Sequence, residues 1–433
     1  MRMVDIIQKK RDGFALNKEE IYSLIKGFTA GEIPDYQMAA FLMTVYYKGM
    51  SIEEITQLTM AMAHSGDIMD LSDIQGIKVD KHSTGGVGDK TTLVAAPLAA
   101  AAGVPVAKMS GRGLGYTGGT IDKLEAITGF NVELPQAAFI EQVNRCKFAL
   151  VSQTGDLAYA DKKIYALRDV TATVNSMPLI ASSIMSKKIA SAADAIVLDV
   201  KTGSGAFMKN LAEARELAEI MVGIGKGLKI RTIAVITDMN QPLGYEIGNA
   251  NEVKEAIEVL QGKGEADFTK LCLTIAAYMV VAGEIYENFD QAYQALEKML
   301  ASGQAHAKFK EFITAQGGDP TIAEQPELLP QAVNHTLLKS DSAGYVQAID
   351  AEKAGLAAMM LGAGRQNKNE SIDYTAGITL HKKIGDSVQT EETLAELHSS
   401  REITKENCQV LRDSFVIGKQ KPEKPMIVYA CIE

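Results

Sequence analysis

The chain has 433 residues, and its 44 Lys and Arg against 54 Asp and Glu give a formal charge of -10. With 46% hydrophobic and 23% charged residues it has the composition of an ordinary globular protein, long enough for about two or three domains that need no disulfide or metal staples. Intrinsic disorder is excluded, and the acidic balance argues against a nucleic-acid binder, which needs a basic face.

The opening residues mix charges with apolar side chains and lack the continuous hydrophobic core of a signal peptide. Residues 1–65 read as helical. Asn17 with Glu20, and Ser51 with Glu54, are cap-plus-acid signatures ahead of apolar periodicity. Ile21, Leu24, Ile25 and Phe28 share one helix face, as do Ile55, Leu58, Thr59 and Met62. From residue 77 the texture becomes strand, glycine loop, helix. Residues 77–80, 104–109, 148–151, 195–200 and 232–236 read as short strands between helical stretches, which predicts a mainly parallel sheet covered by helices. Ligands of such sheets bind beyond the carboxyl ends of the strands. The longest apolar run, residues 93–107, is too short for a membrane span and contains Pro97, Gly103 and Pro105. Residues 316–320 read as a linker. Beyond about residue 340 alternation and turn signals predict an α+β module, hammerhead-like over residues 378–397. Its Lys382 and Lys383 precede the Gly385-Asp386 turn rather than occupy a hairpin tip, which argues against a carrier role. Cys146, Cys272, Cys408 and Cys431 show no CxxC spacing and read as reduced thiols of a cytoplasmic protein.

Three segments carry chemistry. The first is Lys81-His82-Ser83-Thr84-Gly85-Gly86-Val87-Gly88-Asp89 and on to Thr92, whose glycines let several backbone N–H groups approach one anion. It nearly matches a P-loop, but Asp89 interrupts the Gly-Lys-Ser/Thr junction and would repel a triphosphate. The second is Ser110-Gly111-Arg112-Gly113-Leu114-Gly115-Tyr116-Thr117-Gly118-Gly119-Thr120 with Ile121 to Glu125 behind it. Gly113, Gly115 and Gly118 satisfy GxGxxG, yet Ser110, Arg112, Thr117 and Thr120 supply more polar side chains than a dinucleotide turn needs. Two anion loops so close together point to one phosphate pocket. The third runs from Tyr165 and Arg168 to Ser182, Ser183, Lys187 and Lys188, with Pro178 separating two helices; a helix start at Ser182 or Ser183 would aim a positive dipole end at a ligand.

Together these segments resemble the thymidine/pyrimidine-nucleoside phosphorylase family, over nearly the whole chain. The resemblance implies reversible phosphorolysis of uridine, thymidine or deoxyuridine to a free pyrimidine and α-(deoxy)ribose 1-phosphate, in nucleoside salvage. It implies a phosphate site of Lys81, Ser83, Thr92, Lys108, Ser110 and Thr120, and a pyrimidine site of Tyr165, Arg168, Ser183 and Lys187. His82, the one histidine of six inside a glycine loop, would donate a proton or a hydrogen bond to the base carbonyl; His82, Arg168 and Lys187 are the expected catalytic groups. It further implies a monovalent cation, K+, held by Gly88, Lys90, Leu243, Glu246 and Glu255, several through backbone carbonyls, and no organic cofactor. Lys90 and Glu246 depart from the small residues of many relatives, and Tyr116 from a histidine. Residues 1–66 and 160–192 would form a helical domain that binds the base and makes a homodimer. Residues 67–159 and 193–335 would form the α/β domain with the phosphate site, and 336–433 the C-terminal module. Hinges are expected at residues 66–72, 154–160 and 189–194. The competing readings are an anthranilate-phosphoribosyltransferase-like enzyme, which needs an acidic pair for Mg²⁺ not found beside Asp199, and a non-catalytic sensor, which would have lost Lys81, Arg168 or Lys187.

Overall fold

The computed structural model describes residues 2–433 apart from Leu114, Thr117, Thr154, Lys368 and Asn369. Helices α1 (Met3–Arg11), α2 (Lys18–Thr29), α3 (Asp35–Lys48) and α4 (Ile52–Ala63) open the chain. Both expected starts are reciprocal capping boxes, Asn17 with Glu20 and Ser51 with Glu54. Glu54 also holds Lys10 Nζ at 2.8 and 2.9 Å and the Leu16 amide at 2.8 Å, which fastens α1 to α4 below the surface.

The next elements are β1 (Val79–Ser83), α5 (Thr91–Ala101), β2 (Val106–Ser110), α6 (Thr120–Glu125), α7 (Gln136–Cys146), β3 (Phe148–Ser152), α8 (Tyr159–Val170), α9 (Met177–Ala190), β4 (Ala195–Thr202), α10 (Leu211–Leu228) and β5 (Arg231–Asp238). Strands β1, β4 and β5 are parallel neighbours, and β2 and β3 make a parallel pair beside them. The Val79 amide joins the two groups by donating to the Pro105 carbonyl at 3.0 Å. Every residue of β4 is buried, as expected of a strand covered on both faces.

Helix α9 serves two cores. Leu179 packs with α1–α4 and α8, whereas Ala181 and Met185 pack with β4, β5 and α10. The expected helix start at Ser182 or Ser183 is wrong: α9 begins at Met177 after Ser176, with Pro178 in its first turn. Proline is favoured there because the amide it lacks has no helical partner anyway.

The expected hinge segments lie side by side; Thr154 falls outside the described residues. The Asp67 amide donates to Asp156 O at 3.0 Å and the Met69 amide to Ala190 O at 2.9 Å. A Cβ on Gly66 would fall 1.9 Å from Asp156 O, so only glycine fits this crossing. Ala158 and Ala192 take φ of 48° and 57°, a left-handed region that costs residues with a Cβ about 1–2 kcal/mol.

Then follow β6 (Glu246–Gly248), α11 (Ala250–Leu260), α12 (Ala266–Ala282), α13 (Phe289–Ala301), α14 (Gln304–Ala315) and α15 (Thr321–Glu324). Residues 316–320 are no linker: buried Gln316 donates to Asn131 O at 2.7 Å and Leu150 O at 2.9 Å and accepts from the Leu150 amide at 2.9 Å. A single amide side chain satisfies the backbone of β3 there.

The last elements are β7 (Asn334–Lys339), β8 (Gly344–Ile349), α16 (Ala351–Ala358), β9 (Gly377–Leu380), β10 (Ser387–Val388), β11 (Thr393–Ser399), α17 (Lys405–Arg412), β12 (Phe415–Gly418) and β13 (Val428–Ile432). They build two antiparallel sheets, ordered β6-β9-β11-β7 and β10-β8-β12. The expected boundary at residue 336 is crossed twice. Strand β6 joins the C-terminal sheet, and β13 returns to pair antiparallel with β5. No helix among the described residues is long and apolar enough to cross a membrane.

Candidate active site

The strand ends place the first two loops together. Lys81, His82 and Ser83 end β1, Lys108 and Ser110 end β2, and Thr92 and Thr120 stand in the first turns of α5 and α6. All seven line one pocket, which also takes in Asp89, Arg112, Gln153 and Lys188. The six residues assigned to phosphate are thus brought together at the carboxyl edge of the sheet, where two helix starts and several cations meet.

Buried carboxylates hold those cations. Asp80 sits 3.1 Å from Lys108 Nζ and 2.7 Å from Lys188 Nζ. Asp199 lies 2.8 Å from Lys201 Nζ and 3.5 Å from Lys81 Nζ, and accepts from Thr237 Oγ1 at 2.6 Å. Lys81 Nζ makes no hydrogen bond although it is buried. A buried donor without an acceptor calls for one, and the pocket is where it can come from. Asp89 explains its own presence in an anion loop: it accepts from Ser83 Oγ at 2.5 Å and the Thr91 amide at 3.2 Å, so it orients the hydroxyl. Burial would raise its pKa, but Lys81, Lys201 and the Ser83 bond hold it well below the usual carboxylate range.

Two pKa shifts bear on chemistry. Burial drives His82 well below 6.5, and Lys188, Lys108, Lys187 and Lys81 push the same way. The ring is therefore neutral at physiological pH and can donate an N–H but not act as an imidazolium acid. Lys108 is pulled down to about 7 by burial, with Asp80 opposing and Lys188 and Lys81 reinforcing.

Tyr165, Arg168, Ser183 and Lys187 form a second group on α8 and α9, outside the lining of that pocket. Lys187 Nζ pairs with Asp161 and lies 3.2 Å from Ser183 Oγ. Arg168 is buried, its guanidinium 5.6 Å from the Tyr165 ring centre, and donates to the carbonyls of Thr173, Leu179 and Val174. A guanidinium carries five N–H groups, so one on each terminal nitrogen is left for a ligand. His82 is the link between the groups, since it lines the pocket and also feels the charge of Lys187.

The five residues assigned to a cation do converge, but around an ammonium group. Lys90 Nζ is 2.9 Å from Leu243 O, 2.7 Å from Glu246 O and 2.5 Å from Glu255 Oε2. Gly88 presses on the same carbonyls, for a Cβ there would fall 2.6 Å from Leu243 O and 3.1 Å from Glu246 O. The Glu246 carboxylate is turned away, to Asn251 Nδ2 at 2.9 Å and Thr379 Oγ1 at 2.8 Å.

Several contributors escape the sequence reading. Lys188 reads as a helix end but reaches Asp80. Asp80, Asp161 and Asp199 sit next to motif residues, yet only the fold shows which cation each one holds. Arg365 of the C-terminal module donates to Gly113 O at 3.2 Å and Asp122 Oδ1 at 2.9 Å, and so braces the second glycine loop. Tyr116 packs into the C-terminal core and does not line the phosphate pocket. Leu114 and Thr117 of that loop lie outside the described residues. Of the other histidines, His306, His335 and His398 bond to Ala323 O, Glu396 and Thr375 O.

Comparison with known proteins gives consistent matches. A family described as glycosyl transferase family, helical bundle domain, matches residues 4–66, and its a/b domain matches residues 75–306. A pyrimidine nucleoside phosphorylase C-terminal domain matches residues 345–418. The chain is 56% identical over 429 residues to a pyrimidine-nucleoside phosphorylase of Geobacillus stearothermophilus, covering 99% of each chain. Proteins of the same name match from Staphylococcus haemolyticus, 56% identical over 427 residues and 99% of each chain, and from Staphylococcus aureus strain MSSA476, 55% identical over 433 residues and 100% of each. Among solved structures, anthranilate phosphoribosyltransferase from Thermus thermophilus matches with a TM-score of 0.59 at 20% identity, covering 72% of this chain and 99% of that one. That likeness speaks to the fold alone.

Proposed function

Because this chain belongs to the pyrimidine-nucleoside phosphorylase family, we propose that the paired anion loops hold inorganic phosphate while α8 and α9 hold a pyrimidine nucleoside. The enzyme phosphorolyses pyrimidine nucleosides. A phosphate oxygen attacks C1′, the bond from C1′ to the base nitrogen breaks, and the electron pair leaves with the base. Phosphate is itself the nucleophile, so no covalent enzyme intermediate is needed. Lys81, Lys108 and the loop amides hold the dianion beside the sugar, where it also offsets the positive charge that develops on the ring. Arg168 and Lys187 meet the negative charge growing on the base, and neutral His82 donates its N–H to a base carbonyl. Preorganised donors of this kind are each worth about 2.7–4 kcal/mol in the transition state.

One observation carries the reading: Lys81, Ser83, Thr92, Lys108, Ser110 and Thr120 line a single pocket with His82. The phosphoribosyltransferase reading is not favoured, because Asp199 is consumed by Lys81, Lys201 and Thr237. Cytoplasmic location and a homodimer formed through the helical unit complete the proposal. The test is uridine with phosphate and no Mg²⁺ or ATP. Uracil and a sugar phosphate are expected, and no uracil at any phosphate concentration would refute it.

A further inference from the structure

The cage around Lys90 gives the resemblance its sharpest disagreement with this chain. An ammonium group has three N–H donors and no acceptor. Three oxygens surround Lys90 Nζ: Leu243 O at 2.9 Å, Glu246 O at 2.7 Å and Glu255 Oε2 at 2.5 Å. Donors and acceptors are matched, and the Phe268 ring stands 5.3 Å from the nitrogen on another side. The charge is matched too. Among the described residues Glu255 is the carboxylate in contact with Lys90 Nζ, and its oxygens also take the amides of Tyr245 at 2.7 Å and Glu246 at 3.0 Å. A free cation bound to these oxygens would share one buried carboxylate with an ammonium group, and like charges in a dry site repel with little screening.

We propose that Lys90 is a covalently attached replacement for the monovalent cation, so that this enzyme works and stays folded without K+. The position has consequences for the neighbouring site. Lys90 stands at the N-cap position of α5, in the stretch between Asp89 and Thr92 of the phosphate pocket. Its ammonium thereby ties the phosphate loop to residues 243–246, which lead into β6 and the C-terminal sheet. Lys383 Nζ grips the same turn from that module, donating to Gly244 O at 2.7 Å. A diffusible ion would make this tie conditional on its concentration; a side chain makes it permanent.

The activity arm of the test rests on the phosphorylase reading, and the stability arm does not. Melting temperature and uridine phosphorolysis are measured for the full chain in KCl and in tetramethylammonium chloride at equal ionic strength. The parent protein should melt within about 1 °C in the two salts and turn over within about twofold, since a ligand that does not bind cannot stabilise. Lys90→Thr should melt lower in tetramethylammonium chloride, lose about tenfold or more in rate, and regain both as KCl is added, in a saturable manner. Saturable K+ stabilisation of the parent would overturn the proposal. So would a Lys90→Thr protein as stable and active as the parent without K+. If that variant never folds, parent crystals soaked in thallium(I) decide: an anomalous peak at Leu243 O and Glu246 O sinks the proposal, and a cage without one upholds it. Absence of uracil in every salt, with melting unaffected by K+, would count against the phosphorylase reading alone.

Discussion

Lys108 makes anion binding a proton-linked event, and the size of the linkage follows from its surroundings. Its pKa in the anion-free protein is about 7, because burial disfavours the ammonium more than Asp80 favours it. A bound anion adds the missing counter-charge and restores the proton. Affinity then follows the protonated fraction of Lys108, about 0.9 at pH 6 and about 0.01 at pH 9, a loss of nearly 100-fold or about 2.7 kcal/mol. Sulfate is the right probe because, unlike phosphate, it does not titrate in this range. Neither His82 nor Asp89 interferes, since both are held well below their ordinary values. Calorimetry in buffers of different ionisation enthalpy should show about 0.9 proton taken up per sulfate at pH 8. Lys108→Met should bind sulfate more weakly and take up none. The stability sign is opposite to that of a typical lysine pair. Between about pH 7 and 10 the unfolded chain holds a proton that the folded one lacks, so without anion the parent should grow more stable as pH rises through this window, relative to Lys108→Met. Sulfate affinity independent of pH, or undiminished proton uptake in the variant, would refute the reasoning.

Arg168→Ala should lower turnover about 10²–10³-fold while leaving sulfate affinity within about twofold, by kinetics and calorimetry; equal loss of both would assign Arg168 to the phosphate site instead of the base site. Arg365→Ala removes two hydrogen bonds that brace the second glycine loop, and should raise the phosphate KM about tenfold with little change in kcat; an unchanged KM would leave the C-terminal module without a part in phosphate binding. Gly66→Ala drives a Cβ to 1.9 Å from Asp156 O and should cost about 1–3 kcal/mol, read as a lower melting temperature; an unchanged melting curve would show that the linker crossing yields easily.

The legible part of this molecule is local. Strands β1 to β5 and the two glycine loops announce themselves because each is a continuous run whose pattern and turn chemistry agree. The caps at Asn17 and Ser51 are four-residue signatures, and both form. What escapes is decided by distant partners. Nothing near Gln316 in the sequence reveals that its amide will satisfy the backbone of β3, so a Gly-Gly-Asp-Pro stretch beside it reads as a linker. Strand β13 comes at the far end of the chain from β5, and its return to the main sheet depends on the edge β5 leaves open. The start of α9 is misread for a different reason: Pro178 looks like a breaker, although the same fixed φ makes proline a good first-turn residue.

Lys187 and Lys188 show how much a one-residue difference on a helix can decide. Neighbours on an α-helix point about 100° apart, and here the two ammonium groups are sent to Asp161 of α8 and Asp80 of β1. The identical side chains thus acquire different duties. Lys188, buried against Asp80, welds the end of α9 to the strand that carries Lys81, His82 and Ser83. Lys187, partly exposed beside Ser183, remains on the wall assigned to the base. Lys188 thus fixes the C-terminal end of α9 to the phosphate side. Residues 66–69 are tied to Asp156 and Ala190 by backbone hydrogen bonds, and Ala158 and Ala192 sit in a backbone region that strains them. The chemistry and the geometry therefore meet on one helix, with a buried ion pair at its fixed end and a partly exposed lysine one residue before it.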